Sequence, residues 1–255
     1  MTTQRLLPTF PNFREVSGVP AEDGRVLRPG AIYRSEAILS PLPEDTEVLR
    51  QIGIRTVFDL RGPDERARHP NHWWQAEGVD IREMDLVADA RNAGAHWEPM
   101  LADPDGSGGA AMMLSTYRSI PLAALPHMGA VFSALVDGGA PILVHCAAGK
   151  DRTGFVVAAI LVAIGIRLDA VHADYLESRA RRAQTISDYT RSMLASRLGR
   201  EPSDAAVRAI TGVDQAYLEA SFATIEAEFG SVDAYFAEVG WDEARRRQLQ
   251  DALLI

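Results

Sequence analysis

The chain of 255 residues holds one cysteine, Cys146, and one lysine, Lys150. A single thiol rules out an intramolecular disulfide and any structural zinc site made of several cysteines. It suits a reducing compartment. Long apolar runs are also missing. Phe155 to Ile166 is the longest, well short of the roughly 20 residues a bilayer-crossing helix needs. Met1 to Pro8 shows no signal-peptide pattern. The expectations are no integral membrane association and, by default, a cytoplasmic location, with export by a route that leaves no signal peptide still open.

Positive charge is in short supply: 26 basic side chains face 35 acidic ones, for a net charge of −9. That balance argues against a nucleic-acid partner, which demands many phosphate contacts. It leaves room for a local positive pocket that takes an anion. The six histidines show no His-x3-His pair and no paired-carboxylate spacing, so neither a metal nor a cofactor is expected.

What is present is a globular composition, 47% hydrophobic and 24% charged. The length fits one domain over residues 1–255. Residues 8–30 read as an irregular start with a short hairpin. Strands are predicted at Ala31–Arg34, Ile54–Leu60, Val79–Met84 and Pro141–Val144, from β-branched and apolar runs. Helices are predicted at Pro43–Gln51, up to Val136 through Leu122, Leu125, Met128, Phe132 and Leu135, and from Arg152 to Gly165. Residues 88–113 lack periodicity and read as a mobile loop or lid. Residues 168–253 read as a mainly helical C-terminal part. The order implies an α/β fold: a central, mostly parallel sheet flanked by helices, followed by that helical part.

The chemistry concentrates in one stretch, His145-Cys146-Ala147-Ala148-Gly149-Lys150-Asp151-Arg152-Thr153-Gly154. A Cys followed six positions later by Arg is weak by itself, since arginine makes up about a tenth of the chain. Its setting sharpens it: an apolar strand before, small residues between, an apolar helix after. A short strand-to-helix loop turns backbone N–H groups inward as an anion nest. The helix N-terminus adds partial positive charge. Phosphate is the natural guest, and the same field favours a thiolate. Arg152 can bind two phosphate oxygens through its planar fork. The single lysine lies four residues after the single cysteine, in a chain whose other basic residues are all arginine.

This stretch resembles the signature of the cysteine-dependent protein tyrosine phosphatases, His-Cys-x5-Arg-Ser/Thr. It is most similar to the bacterial tyrosine/lipid phosphatases with the loop His-Cys-x-Ala-Gly-Lys-Asp-Arg-Thr-Gly. Asn12-Phe13-Arg14, Leu27-Arg28-Pro29-Gly30, Tyr33-Arg34-Ser35, Ile54 to Arg61 and Tyr217-Leu218 extend the resemblance. Glu15-Val16-Ser17-Gly18 departs from it, where that family usually carries Asp-Leu-Gly-Gly.

The resemblance implies hydrolysis of phosphate monoesters through a phosphocysteine. The substrates it implies are phosphotyrosine, and beyond it phosphoserine, phosphothreonine and phosphoinositides; inorganic phosphate is the product. Cys146 would be the nucleophile. Arg152 and loop residues Ala147, Ala148, Gly149, Lys150, Asp151 and Thr153 would hold phosphate, with Thr153 easing departure of the sulfur and His145 orienting the loop. Lys150 would add a second charge beside phosphate. Asp151 is the first choice for the acid that protonates the leaving oxygen, Asp59 the second and Asp85 the third. Plainer uses stand beside these: Asp151 as a helix cap, Asp59 paired with Arg61 or Arg34, His145 as a core histidine, and Arg14, Arg34 and Arg61 as surface arginines. Trp73-Trp74 reads as core packing, and Arg179–Arg182 as a solvated helix face. Among other functions, a catalytically silent phosphate-binding module would keep the nest without the reaction, and a rhodanese-type sulfur transferase lacks this loop pattern.

Overall fold

The computed structural model describes residues 6–87, 98–104, 107–181 and 187–255. Five strands, β1 (Arg14–Val16), β2 (Ile32–Ser35), β3 (Thr56–Asp59), β4 (Asp80–Glu83) and β5 (Ile142–His145), form one sheet in the order β1-β2-β5-β3-β4. Only β1 runs antiparallel, against β2. Strands β2, β5, β3 and β4 are parallel. Every residue of β2, β3 and β5 is buried, as expected for strands covered on both faces.

Alternate residues of each strand enter two separate cores. Ile32, Phe58, Ile142 and Val144 face the larger one. Tyr33, Val57 and Leu143 face a smaller one with Phe13, Leu49 and Trp74. Trp74 therefore serves in packing, as its sequence suggested.

On the smaller side, α1 (Pro43–Ile52) starts with Pro43 at its first turn, has acidic Glu44 and Asp45 there, and stops at Gly53 with φ +69°. Two short helices follow, α2 (Pro63–Arg68) and α3 (His72–Ala76). Then come α4 (Glu98–Ala102), α5 (Gly108–Val136) and α6 (Asp151–Ala163). The chain closes with α7 (Leu168–Arg181), α8 (Ser187–Leu198), α9 (Asp204–Thr211), α10 (Gln215–Phe229), α11 (Val232–Ala237) and α12 (Glu243–Leu253).

Helix α5 departs from the sequence reading in two ways. It starts at Gly108, so residues 108–113 and the short α4 are helical where a loop was expected. Residues 88–97 and 105–106 of that expected lid lie outside the described residues. It is also long and apolar enough, by length and composition, to cross a membrane. Here it is the central helix, against which α4, α6, α9, α10 and α12 pack. Pro121 and Pro126 lie inside it. A proline removes the N–H that would bond the carbonyl four residues earlier. For Pro121 that carbonyl belongs to Tyr117, and the buried Ser221 hydroxyl of α10 donates to it at 2.7 Å instead.

Parallel register brings Ser35, His145, Asp59 and Glu83 level at the carboxyl ends of four strands. The chain from β5, the central strand, turns there into α6. Ligands of open α/β sheets bind at this edge, where neighbouring connections diverge.

Candidate active site

Cys146 follows the last residue of β5, and α6 starts at Asp151. Between them the loop turns its carbonyls outward, and each finds a donor. The Cys146 carbonyl accepts from Nδ1 of His145 at 3.3 Å. Ala147 accepts from the Ala37 N–H at 3.3 Å. Ala148 and Gly149 accept from Asn12 Nδ2 at 3.4 and 2.8 Å, and Gly149 also from Arg34 at 3.2 Å. Lys150 accepts from the Gly154 N–H at 2.8 Å, the first helical bond of α6.

The inward side is left to N–H groups, and that of Gly149 donates to Cys146 Sγ at 3.2 Å. Gly149 has φ +67°, and a Cβ there would lie 2.3 Å from the Ser35 backbone. Only glycine lets the loop lie this close to the end of β2.

Beneath the loop sits a buried charge cluster. Arg14 donates to Asn12 Oδ1 at 2.6 Å, fixing the amide that holds Gly149. Arg14 and Arg34 share Asp174 of α7. Arg14, Arg34 and Arg61 are almost fully buried, which corrects their reading as surface arginines. Burial, then the neighbouring Arg34, pulls Arg14 down to about 10. For Asp174, burial works against the charge, but the two arginines outweigh it and its pKa ends below the usual carboxylate range.

Arg152, on the first turn of α6, is 3% exposed. Glu65 of α2 takes both of its terminal nitrogens, at 2.6 and 2.8 Å, and the Leu60 carbonyl accepts at 3.3 Å. Glu65 is itself fixed, because its Oε2 accepts from the Gly62 N–H at 2.9 Å. The guanidinium is thus oriented before any anion arrives. Glu65 was absent from the sequence reading. Its only signal was its third position in a helix opened by Gly62-Pro63, where a capping carboxylate sits.

Asp151 is buried. Its Oδ1 accepts from the Tyr117 hydroxyl of α5 at 2.7 Å, and Lys150 Nζ lies 3.3 Å from the same atom. Tyr117 in turn meets the Tyr175 hydroxyl of α7 at 2.7 Å. Burial, then the Asp151 charge, pushes both phenols up, so both stay protonated.

Lys150 does not have the surroundings expected of a charge beside phosphate. Its ammonium donates to the Ile210 and Gly212 carbonyls at 2.5 and 2.8 Å, at the C-terminal end of α9, where a cation is favoured. A phosphate contact would have to break that cap.

Asp59 is fully buried at the end of β3. Arg61 grips it with two side-chain bonds, at 2.8 and 2.7 Å, and Asn71 adds a third at 2.7 Å. Burial opposes its charge. Arg61, through its hydrogen bonds and charge, and Asn71 overcome that penalty and hold its pKa well below the usual range. A carboxylate so held has no proton to give, so its place as second acid is corrected to the plainer one: it anchors Arg61.

His145 Nε2 lies 3.8 Å from Asp59, and its Nδ1 carries the hydrogen, since the Cys146 carbonyl can only accept. Burial lowers its pKa, so the ring is neutral at pH 7. Asp85, the third choice, pairs with Arg66 at 2.5 Å on the surface. The Thr153 hydroxyl is buried with no hydrogen-bond partner among the described residues, an orphan beside the nest. Among the described residues no group of three or more His, Cys, Asp or Glu side chains could hold a metal.

Of the basic run at 179–182, Arg179 donates to the Val213 carbonyl and Arg181 pairs with Glu177. Arg182 lies outside the described residues.

Comparison with known proteins agrees with this geometry. The profile of the tyrosine phosphatase family matches residues 6–255. The triple specificity protein phosphatase PtpB of Mycobacterium tuberculosis is 32% identical over 279 aligned positions, covering 98% of this chain and 99% of its own. A Cupriavidus necator protein whose name places it among the tyrosine-protein phosphatases is 32% identical over 224, covering 85% and 77%. The crystal structure of TpbA from P. aeruginosa overlaps 65% of this chain and 87% of its own at 20% identity and a TM-score of 0.32, too slight a likeness to argue from. With its profile matched over residues 6–255 and a relative 32% identical along nearly the whole chain, this chain belongs to the tyrosine phosphatase family.

Proposed function

We propose that this protein tyrosine phosphatase works through Cys146, and that its substrates extend past phosphotyrosine to phosphoserine, phosphothreonine and phosphoinositides. In the first step the Cys146 thiolate attacks phosphorus. An S–P bond forms, the P–O bond to the leaving group breaks, and the proton of Asp151 goes to the departing oxygen. Water then attacks the phosphocysteine. The S–P bond breaks, Asp151 takes the proton back from water, and inorganic phosphate leaves.

The loop N–H groups of residues 147–153 and the Arg152 fork hold the equatorial oxygens through both steps. Thr153 offers its hydroxyl to the departing sulfur, which gives that orphan group a partner. His145 holds the Cys146 carbonyl turned outward. Lys150 acts from beneath, tying the loop and Asp151 to α9.

The observation that carries this reading is the Gly149 N–H aimed at Sγ in a loop whose carbonyls are all satisfied on its other side. The wider substrate range is supported by the triple-specificity name of the relative that aligns with nearly the whole chain. The test is phosphate release from p-nitrophenyl phosphate in excess chelator, comparing wild type with Cys146→Ser and Arg152→Ala. Activity in the wild type, lost in both variants and blocked by vanadate, supports the cysteine mechanism. A folded, reduced wild type without activity on any phosphate monoester would leave a phosphate-binding module.

A further inference from the structure

We propose that Tyr117 is a positioning residue for the reaction: its hydroxyl fixes Oδ1 of Asp151 as an acceptor, so that the transferable proton sits on Oδ2. The inference rests on the reading above, in which Asp151 is the acid and base.

A phenol has one hydrogen to give. Tyr117 gives its hydrogen to Oδ1 at 2.7 Å. The 2.7 Å contact between the two phenols is then made by the hydrogen of Tyr175. Both hydrogens in this row point one way, from α7 through α5 to Asp151. Lys150 places its positive charge 3.3 Å from the same oxygen. An oxygen that already accepts from a phenol and lies beside an ammonium is a poor place for a proton, and the proton of the acid form goes to the other oxygen.

The row is rigid. Tyr117 is fully buried, packs at a tilt against Tyr217 with ring centroids 5.5 Å apart, and has its backbone carbonyl held by Ser221 at 2.7 Å. Gly154 is part of the fit, since a Cβ there would lie 2.9 Å from the Tyr175 ring. The phenols do not titrate in the working range and do not touch substrate, so they orient the acid and transfer no proton themselves.

The test is a double-mutant cycle of Tyr117→Phe and Asp151→Asn, with kcat and KM measured on phenyl phosphate and on p-nitrophenyl phosphate. The nitrophenolate leaves well without a proton and phenolate does not. Expected for Tyr117→Phe is a fall of about tenfold in kcat on phenyl phosphate, a much smaller fall on the nitrophenyl ester, and an unmoved KM. In the Asp151→Asn background the same change should add nothing. Tyr175→Phe should move kcat in the same direction by less, and it serves as the probe if Tyr117→Phe does not fold. Equal slowing on both esters, or losses that multiply in the double variant, would reduce Tyr117 to packing and overturn the proposal. If Asp151→Asn itself leaves the dependence on leaving group unchanged, the acid has been misassigned and the reading underneath fails first.

Discussion

Glu65 holds both terminal nitrogens of Arg152, at 2.6 and 2.8 Å, 87 residues away along the chain. The arginine proposed to grip phosphate is thereby aimed in advance. Preorganisation of this kind removes the cost of ordering a long side chain when the transition state forms. Glu65→Gln should keep one hydrogen bond and lose the charge. The expected result is a fall of roughly tenfold in kcat/KM and weaker inhibition by vanadate. Glu65→Ala should fall further, about a hundredfold, because breaking a buried pair leaves a charge uncompensated. Steady-state kinetics with vanadate titration measures both.

Gly149→Ala should not be tolerated. The new methyl would sit 2.3 Å from the backbone of Ser35, in a residue held at φ +67°. Neither strand β2 nor the loop can yield without losing the bonds that turn the loop carbonyls outward. The expected outcome is loss of several kcal/mol of stability, with phosphatase activity lost even in whatever protein remains folded. Thermal unfolding and the p-nitrophenyl phosphate assay together check it.

Lys150→Met should loosen α9. The ammonium caps the Ile210 and Gly212 carbonyls and approaches Asp151, and its removal leaves buried acceptors without donors. A loss of about 2–4 kcal/mol is expected, with faster amide exchange in residues 204–211. If Lys150 instead served only to contact phosphate, exchange in α9 would not change and activity on phosphoinositides alone would fall.

Stability should fall in two stages on acidification. The His145 pKa is lowered in the fold by burial. A lowered pKa means the unfolded state binds its proton first, so stability is lost as pH falls below about 6.5, the unfolded value. Asp59 and Asp174 are also lowered in the fold. Their contribution is present above about 3.9, their unfolded value, and is lost as pH falls below it toward the folded values. Melting temperature measured from pH 8 to 3 should show both declines. Asp174→Asn should flatten the second while lowering stability at pH 7.

The strand-to-helix loop that carries Cys146 was legible in the sequence because it is local: strand end, small residues and helix start lie within ten consecutive positions. The sheet was legible too, through buried runs such as Ile142-Leu143-Val144. What escaped was brought in from far along the chain. Asn12 meets Gly149 across 137 residues, Arg14 meets Asp174 across 160, and Tyr117 meets Asp151 across 34. No local pattern marks such partners. The start of α5 was hidden by Gly108-Gly109, and its course by Pro121 and Pro126, residues that normally break helices. Ser221 replaces the bond that Pro121 removes, a compensation visible only in three dimensions. Asp59 was read as a candidate acid because it lies at the end of a predicted strand. The bonds from Arg61 and Asn71 that disqualify it depend on the turn that follows.

The most direct measurement is to mix the enzyme with excess p-nitrophenyl phosphate, whose leaving group needs no proton, quench within one turnover, and map any phosphoryl group by mass spectrometry. The expected result is one phosphoryl group on Cys146, accumulating more in Asp151→Asn, whose second step lacks its base, and absent in Cys146→Ser. Substrate turnover with no phosphoryl group on Cys146 at any time, or undiminished turnover by Cys146→Ser, would contradict the cysteine mechanism.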